Sequence, residues 1–158
     1  MRHRFPALFL LSAAVYSTAW AGGRLQSHCG SGEHTFFSCH LKGTNTVASI
    51  CADPQRTWAQ FRMGTHEKVS VRYPLQRGGS LDAFEGINNQ HGAVYLVELA
   101  FRIGSRKYVV SSYRGEASVP RREVGWTEGA KVSTYQCNSS PLTDELLQFA
   151  RLIPMPSK

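Results

Sequence analysis

The sequence predicts an all-β fold, an antiparallel meander of about four hairpins closed as a small barrel or folded as a sandwich, with a short C-terminal helix. Three observations carry that prediction. Alternating apolar stretches recur on either side of short Gly-containing turns. One such unit is written twice: Phe61-Arg62-Met63-Gly64-Thr65 leads into Val69 to Tyr73, and forty residues on Phe101-Arg102-Ile103-Gly104-Ser105 leads into Tyr108 to Tyr113. The connections between these units hold no long helical period, which argues against parallel βαβ folds.

Taken from the start, Met1-Arg2-His3-Arg4 is a basic stretch, Phe5 to Tyr16 is apolar, and Ala19-Trp20-Ala21 is a small-residue triplet. That order is the pattern of a secretory leader cleaved after Ala21. The apolar run is shorter than the roughly 20 residues that cross a bilayer. The expected product is one domain over residues 22–158, exported to the periplasm or secreted, with no transmembrane segment. Without Arg2 and Arg4 it keeps 16 Lys and Arg against 11 Asp and Glu, a formal +5. Such a balance favours acidic partners. The basic residues are scattered, Arg106-Lys107 and Arg121-Arg122 being pairs rather than runs, so nucleic acid is not an expected partner.

The first hairpin is expected around Gly43, between Thr35–Cys39 and Thr46–Cys51. Cys29, Cys39, Cys51 and Cys137 all follow the leader, and four cysteines in an exported chain read as two disulfides with three possible pairings. A turn centred near Asn45 would set Cys39 opposite Cys51, leaving Cys29 for Cys137. His28, His34 and His40 crowd the same cysteines, but no C-x-x-C, H-x-x-x-H or H-E-x-x-H spacing accompanies them, so neither a metal nor another cofactor is expected.

The two repeated units supply the middle hairpins, with turns at Gly64-Thr65 and Gly104-Ser105. Alternation puts Tyr95, Val97, Leu99, Phe101 and Ile103 on one face and Glu98 and Arg102 on the other. Val94 and Leu96 make the start of that strand apolar on both sides, so it is expected to be covered on both. Residues 74–92 are rich in turn formers yet carry Leu81, Phe84 and Ile87; a connection of that length either hides a short element, the favoured expectation, or is a functional loop. The last hairpin is placed around Gly129. Beyond Cys137, Ser140 or Thr143 offers a helix cap, Asp144 and Glu145 an acidic first turn, and Leu142, Leu146, Phe149 and Ile153 an apolar stripe stopped near Pro154.

The chain has no nucleophile elbow, phosphate loop, dinucleotide fingerprint or metalloprotease helix. Glu67, Asp82, Glu85 and Glu98 offer carboxylates for a glycosidase-like pair, and His91 with Asp82 and a serine offers a triad, but no spacing singles out either. Arg62, Arg102, Tyr73 and Tyr113 are the polar and aromatic positions written twice. They are the candidate binding residues, arginines for anionic groups and tyrosines for rigid contact area. Asn138-Ser139-Ser140 fits the glycosylation triplet of eukaryotic secretion.

Phe37-Ser38-Cys39, Ser49-Ile50-Cys51-Ala52-Asp53, Phe61-Arg62-Met63-Gly64 and Tyr73-Pro74, in that order, resemble a group of small exported bacterial proteins with no settled activity. The resemblance covers the first half of the expected mature chain, with an echo to Cys137, and implies a bacterial periplasmic or secreted origin. Periplasmic β-barrels that inhibit lysozyme are similar in size, export signal and a terminal disulfide. Their S-G-x-x-Y loop is not matched, because Ser31-Gly32 is followed by Glu33-His34-Thr35. The expected role is therefore a non-enzymatic binding or inhibitor module for an exported protein or an anionic envelope component. The alternative is a small hydrolase acting on a polysaccharide.

Overall fold

A computed structural model describes residues 27–77, 80–116 and 119–153, with Ser80, Ser140, Pro141 and Leu142 given through their backbone alone. The expected leader, the Gly78-Gly79 pair and the Pro154 stop lie outside the described residues. The chain forms β1 (His34–Leu41), β2 (Thr46–Ala52), β3 (Ala59–Thr65), β4 (Val69–Tyr73), a 3-10 turn (Ser80–Ala83), β5 (Glu85–His91), β6 (Val94–Ile103), β7 (Arg106–Arg114), β8 (Arg121–Glu128), β9 (Lys131–Asp144) and α1 (Leu146–Ala150). All pairings are antiparallel, in the order β4-β3-β2-β1-β9-β8-β7-β6-β5, and the sheet curls into a half-barrel. The all-β meander with a short C-terminal helix is thus the architecture observed.

Gly43, Gly104 and Gly129 turn where the sequence placed turns, each at positive φ, a conformation that costs glycine nothing sterically. Gly64 does not turn. It sits in β3 beside a bulge against β4, where a Cβ would lie 2.1 Å from the Lys68 carbonyl oxygen; His66 to Lys68 make the turn. The hidden element in residues 74–92 is the 3-10 turn followed by β5, which raises the strand count among the described residues to nine.

Curling brings distant strands face to face. Phe101 on β6 stacks on Tyr73 of β4 at 4.7 Å and on Tyr108 of β7 at 5.2 Å, and meets Phe61 of β3 at 4.9 Å. Val97, Leu99, Val110 and Val124 complete the concave core from the second half of the sheet. The expected inward face of β6 is the observed one. Its outward face is not covered as expected, because β6 is next to the sheet edge and Leu96 stays partly exposed.

α1 closes one end of the half-barrel. Phe149 lies against Phe36 and Phe84, and Ile153 against Gly86, where a Cβ would meet the Ile153 Cδ1 at 2.4 Å. The helix is shorter than expected, for β9 runs on to Asp144 and takes Ser140, Leu142 and Thr143 into the strand. Glu145 occupies the cap position and makes no side-chain cap.

The disulfides are Cys29–Cys51 and Cys39–Cys137, with Cα separations of 5.3 and 5.5 Å, which corrects both expected pairings. The reason is register. Cys39 lies opposite Ala48, and Cys51 opposite Thr35. Cys39 shares the concave face with Ile50 and Ala48, whereas Cys51 points outward with Ser49 and Val47. Opposite residues share a face, and moving the turn centre from Asn45 to between Gly43 and Thr44 shifts the pairing by three residues, an odd number that sends the two sulfurs to opposite sides.

Candidate functional site

On the convex side, β1 to β3 are buried as well, because residues 27–33 lie across them as a strap. Cys29 ties the strap to β2. Arg62 on β3 ties it to the sheet: Nη1 and Nη2 donate to the two carboxylate oxygens of Glu33, Nη2 at 2.8 Å, Nη1 also to the His28 carbonyl at 2.8 Å, and Nε to Gln60 Oε1 at 2.8 Å. The Gly30 N–H donates to Glu33 at 2.7 Å, and the His28 N–H to Ser49 Oγ at 3.0 Å. The side chains of Arg62 and Glu33 are 6% and 13% exposed. Hydrogen bonds from Arg62 hold the Glu33 carboxyl below the usual carboxylate range against the opposing effect of burial. Burial likewise holds the His28 imidazole below its ordinary value, and the charges of Arg62 and His66 push the same way.

This network decides what the candidate binding residues do. Arg62 is consumed in holding the strap. Tyr73 faces the core and donates from its hydroxyl to the Ala83 carbonyl at 3.2 Å. Arg102 is exposed on the convex face of β6 opposite Lys107, and Tyr113 is 37% exposed on β7 opposite Leu96 and Arg121. The four therefore do not share a surface: an arginine and a tyrosine from the first unit are interior, their counterparts from the second are outside.

The four carboxylates do not gather in one place, and only Glu85 and Glu98 are diagonal neighbours across a strand pair. Glu67 is in the β3–β4 turn, Asp82 in the 3-10 turn, and Glu85 and Glu98 on the convex face of the β5–β6 hairpin. Among the described residues, Cys29, Glu33 and Cys51 are the group whose atoms gather as metal ligands would, but the two sulfurs are bonded to each other and Glu33 is bound by Arg62. His34 pairs with Glu145 at 2.9 Å.

A site missed in the sequence lies where β9 changes partner. Residues 131–136 pair with β8, and from Cys137 onward β9 pairs with β1, with a register shift between Cys137 and Leu142. The start of β8 is left beside the departing strand, and a cleft of about 420 Å³ opens between them, lined by Arg121, Arg122, Gln136, Cys137, Asn138 and Ser139 together with Val119 and Pro120. Arg122 is locked there. Its Nε donates to Asp144 at 2.6 Å, and Asp144 also accepts from Ser112 Oγ at 2.7 Å. Arg121 is exposed. The Arg121-Arg122 pair was visible in the sequence, but its partners arrive from β9, some fifteen residues later, and only the strand switch brings them together.

Comparison with family models, with curated proteins and with solved structures finds no match for this chain. The geometry therefore carries the functional argument. Arg121 and Arg122 from β8 and Gln136, Asn138 and Ser139 from β9 line this cleft, Arg121 exposed and Arg122 paired with Asp144, and residues of these types suit a carboxylate, phosphate or hydroxyl-rich ligand. No helix among the described residues is long and apolar enough to cross a membrane.

Proposed function

We propose that this protein is an exported, non-enzymatic binding module of the bacterial envelope that takes an anionic group of an envelope component in the cleft between β8 and β9. The observation that carries the reading is the cleft lining, where Arg121 stands exposed on β8 next to Arg122, which Asp144 holds, with Gln136, Asn138 and Ser139 across from them on β9. A guanidinium already held in place loses little side-chain freedom when a ligand arrives. Export rests on the leader pattern of residues 1–21 and on two disulfides, which persist in oxidising compartments. The likeness of the Phe37-Ser38-Cys39 to Tyr73-Pro74 order to small exported bacterial proteins supports the same compartment.

Calorimetry of the oxidised protein with polygalacturonate, a carboxylated polysaccharide, and with neutral dextran tests this. Binding to the first alone, weakened about tenfold by Arg121→Glu and unchanged by Arg102→Glu, is expected for one lost charge-assisted contact. Equal binding of dextran, or equal sensitivity to Arg102→Glu, would overturn the cleft reading. Release of new reducing ends from polygalacturonate would favour the hydrolase alternative.

A further inference from the structure

The half-barrel is open, so it has two edges, and the two differ. β4 is five residues long, breaks register with β3 at a bulge, carries Arg72 and runs directly into Pro74, which has no N–H to offer. Short length, a bulge, a cation and a proline are the devices that blunt an edge against pairing. β5 has none of them. It pairs with β6 in unbroken register over all seven residues, contains no Pro, Lys or Arg, and exposes every residue except Gly86; Ile87 is 56% exposed. Among the described residues no strand covers its outer edge.

We infer that β5 is a self-association edge, on which a second copy of this chain lays its own β5 antiparallel about a two-fold axis through Asn88, joining two half-barrels into one continuous sheet. The strand is complementary to itself in that register. Glu85 falls opposite His91 of the second copy, twice per interface by symmetry, and Ile87 falls opposite Asn89. The two Ile87 side chains then become diagonal neighbours on the convex face, about 7–8 Å apart between Cα atoms, within mutual reach. An isologous contact of this kind closes at the dimer and leaves only the blunted β4 edges outside. The cleft between β8 and β9 is separated from β5 by two intervening strands, β7 and β6, so self-association leaves it open.

Sedimentation velocity of the oxidised protein from about 1 to about 300 µM, with amide hydrogen exchange at both ends of that range, tests the inference by mass action. A concentration-dependent dimer is expected, with new protection confined to residues 85–91. Ile87→Lys should weaken it at least about tenfold, since the two lysines would meet across the axis. Glu85→Lys should weaken it as well, by setting an ammonium group against His91 of the second copy, and adding His91→Glu should restore it. That rescue separates pairing across the axis from a folding defect. Val132→Lys, on the same convex face and 68% exposed but away from β5, should change nothing. A monomer at every concentration, a dimer indifferent to Ile87→Lys, or failure of the charge swap to rescue would each overturn the inference.

Discussion

Truncating Arg62 removes more than one contact, and the structure lets the cost be worked out. Arg62→Ala withdraws two hydrogen bonds from Glu33, one from the His28 carbonyl and one from Gln60, all at a position 5% exposed. Breaking one partner of a buried ion pair costs about 3–5 kcal/mol, because the survivor stays desolvated without its counter-charge. Here Glu33 keeps the Gly30 N–H, and Arg77 stands 3.7 Å away with its own side chain half exposed. These partial replacements put the expected loss near the lower end, about 3 kcal/mol. In a domain of this size that lowers the melting temperature by roughly 10 °C. Urea unfolding under non-reducing conditions measures it, with Arg102→Ala, on the exposed counterpart, expected within about 0.5 kcal/mol of the parent. Equal effects at the two positions would refute the assignment of Arg62 to the strap. So would an Arg62→Ala loss that does not shrink when Glu33→Gln is already present, since the pair would then be uncoupled.

Other outcomes follow from the same geometry. The Glu33 carboxyl is held low in the folded state, so its contribution is present above the unfolded carboxylate value and is lost as pH falls through the folded one; urea midpoints of the parent and Glu33→Gln should converge on acidification. His28 is held low by burial, so the neutral ring is the folded form, and acidification below its ordinary value of about 6.5 should loosen the strap first. Exchange protection of residues 27–33 reads this directly, and protection that does not change with pH would contradict it. A non-reducing peptide map should link Cys29 to Cys51 and Cys39 to Cys137; removing the second, which closes 98 residues, should cost more than removing the first, which closes 22, about 4.7 against about 3.4 kcal/mol in the chain-entropy estimate. Gly64→Ala should destabilise by about 2 kcal/mol or more because its Cβ meets backbone. Gly86→Ala should cost less, since the obstructing atom is the tip of Ile153; a larger loss at Gly86 in calorimetric melting would reverse that reading.

The amino-acid sequence by itself determined the fold class, most hairpin turns, the inward face of β6 and the apolar face of the C-terminal segment. Each is a local property: period-2 alternation and a glycine at positive φ are settled by neighbours along the chain. Whatever depended on which strand lies beside which was decided by the tertiary structure. The disulfide pairing turned on the register of one hairpin, where an odd shift exchanges faces and the observed one differs from the expected one by three residues. Arg62 and Arg102 occupy matching places in nearly repeated segments, yet one is an interior anchor and the other a surface charge. The difference is the strap at residues 27–33, which lies over β3 and, among the described residues, has no counterpart over β6. The cleft at Arg121 and Arg122 exists because β9 leaves β8 to pair with β1, closing contacts about a hundred residues apart in sequence, and no pattern within either strand records that choice.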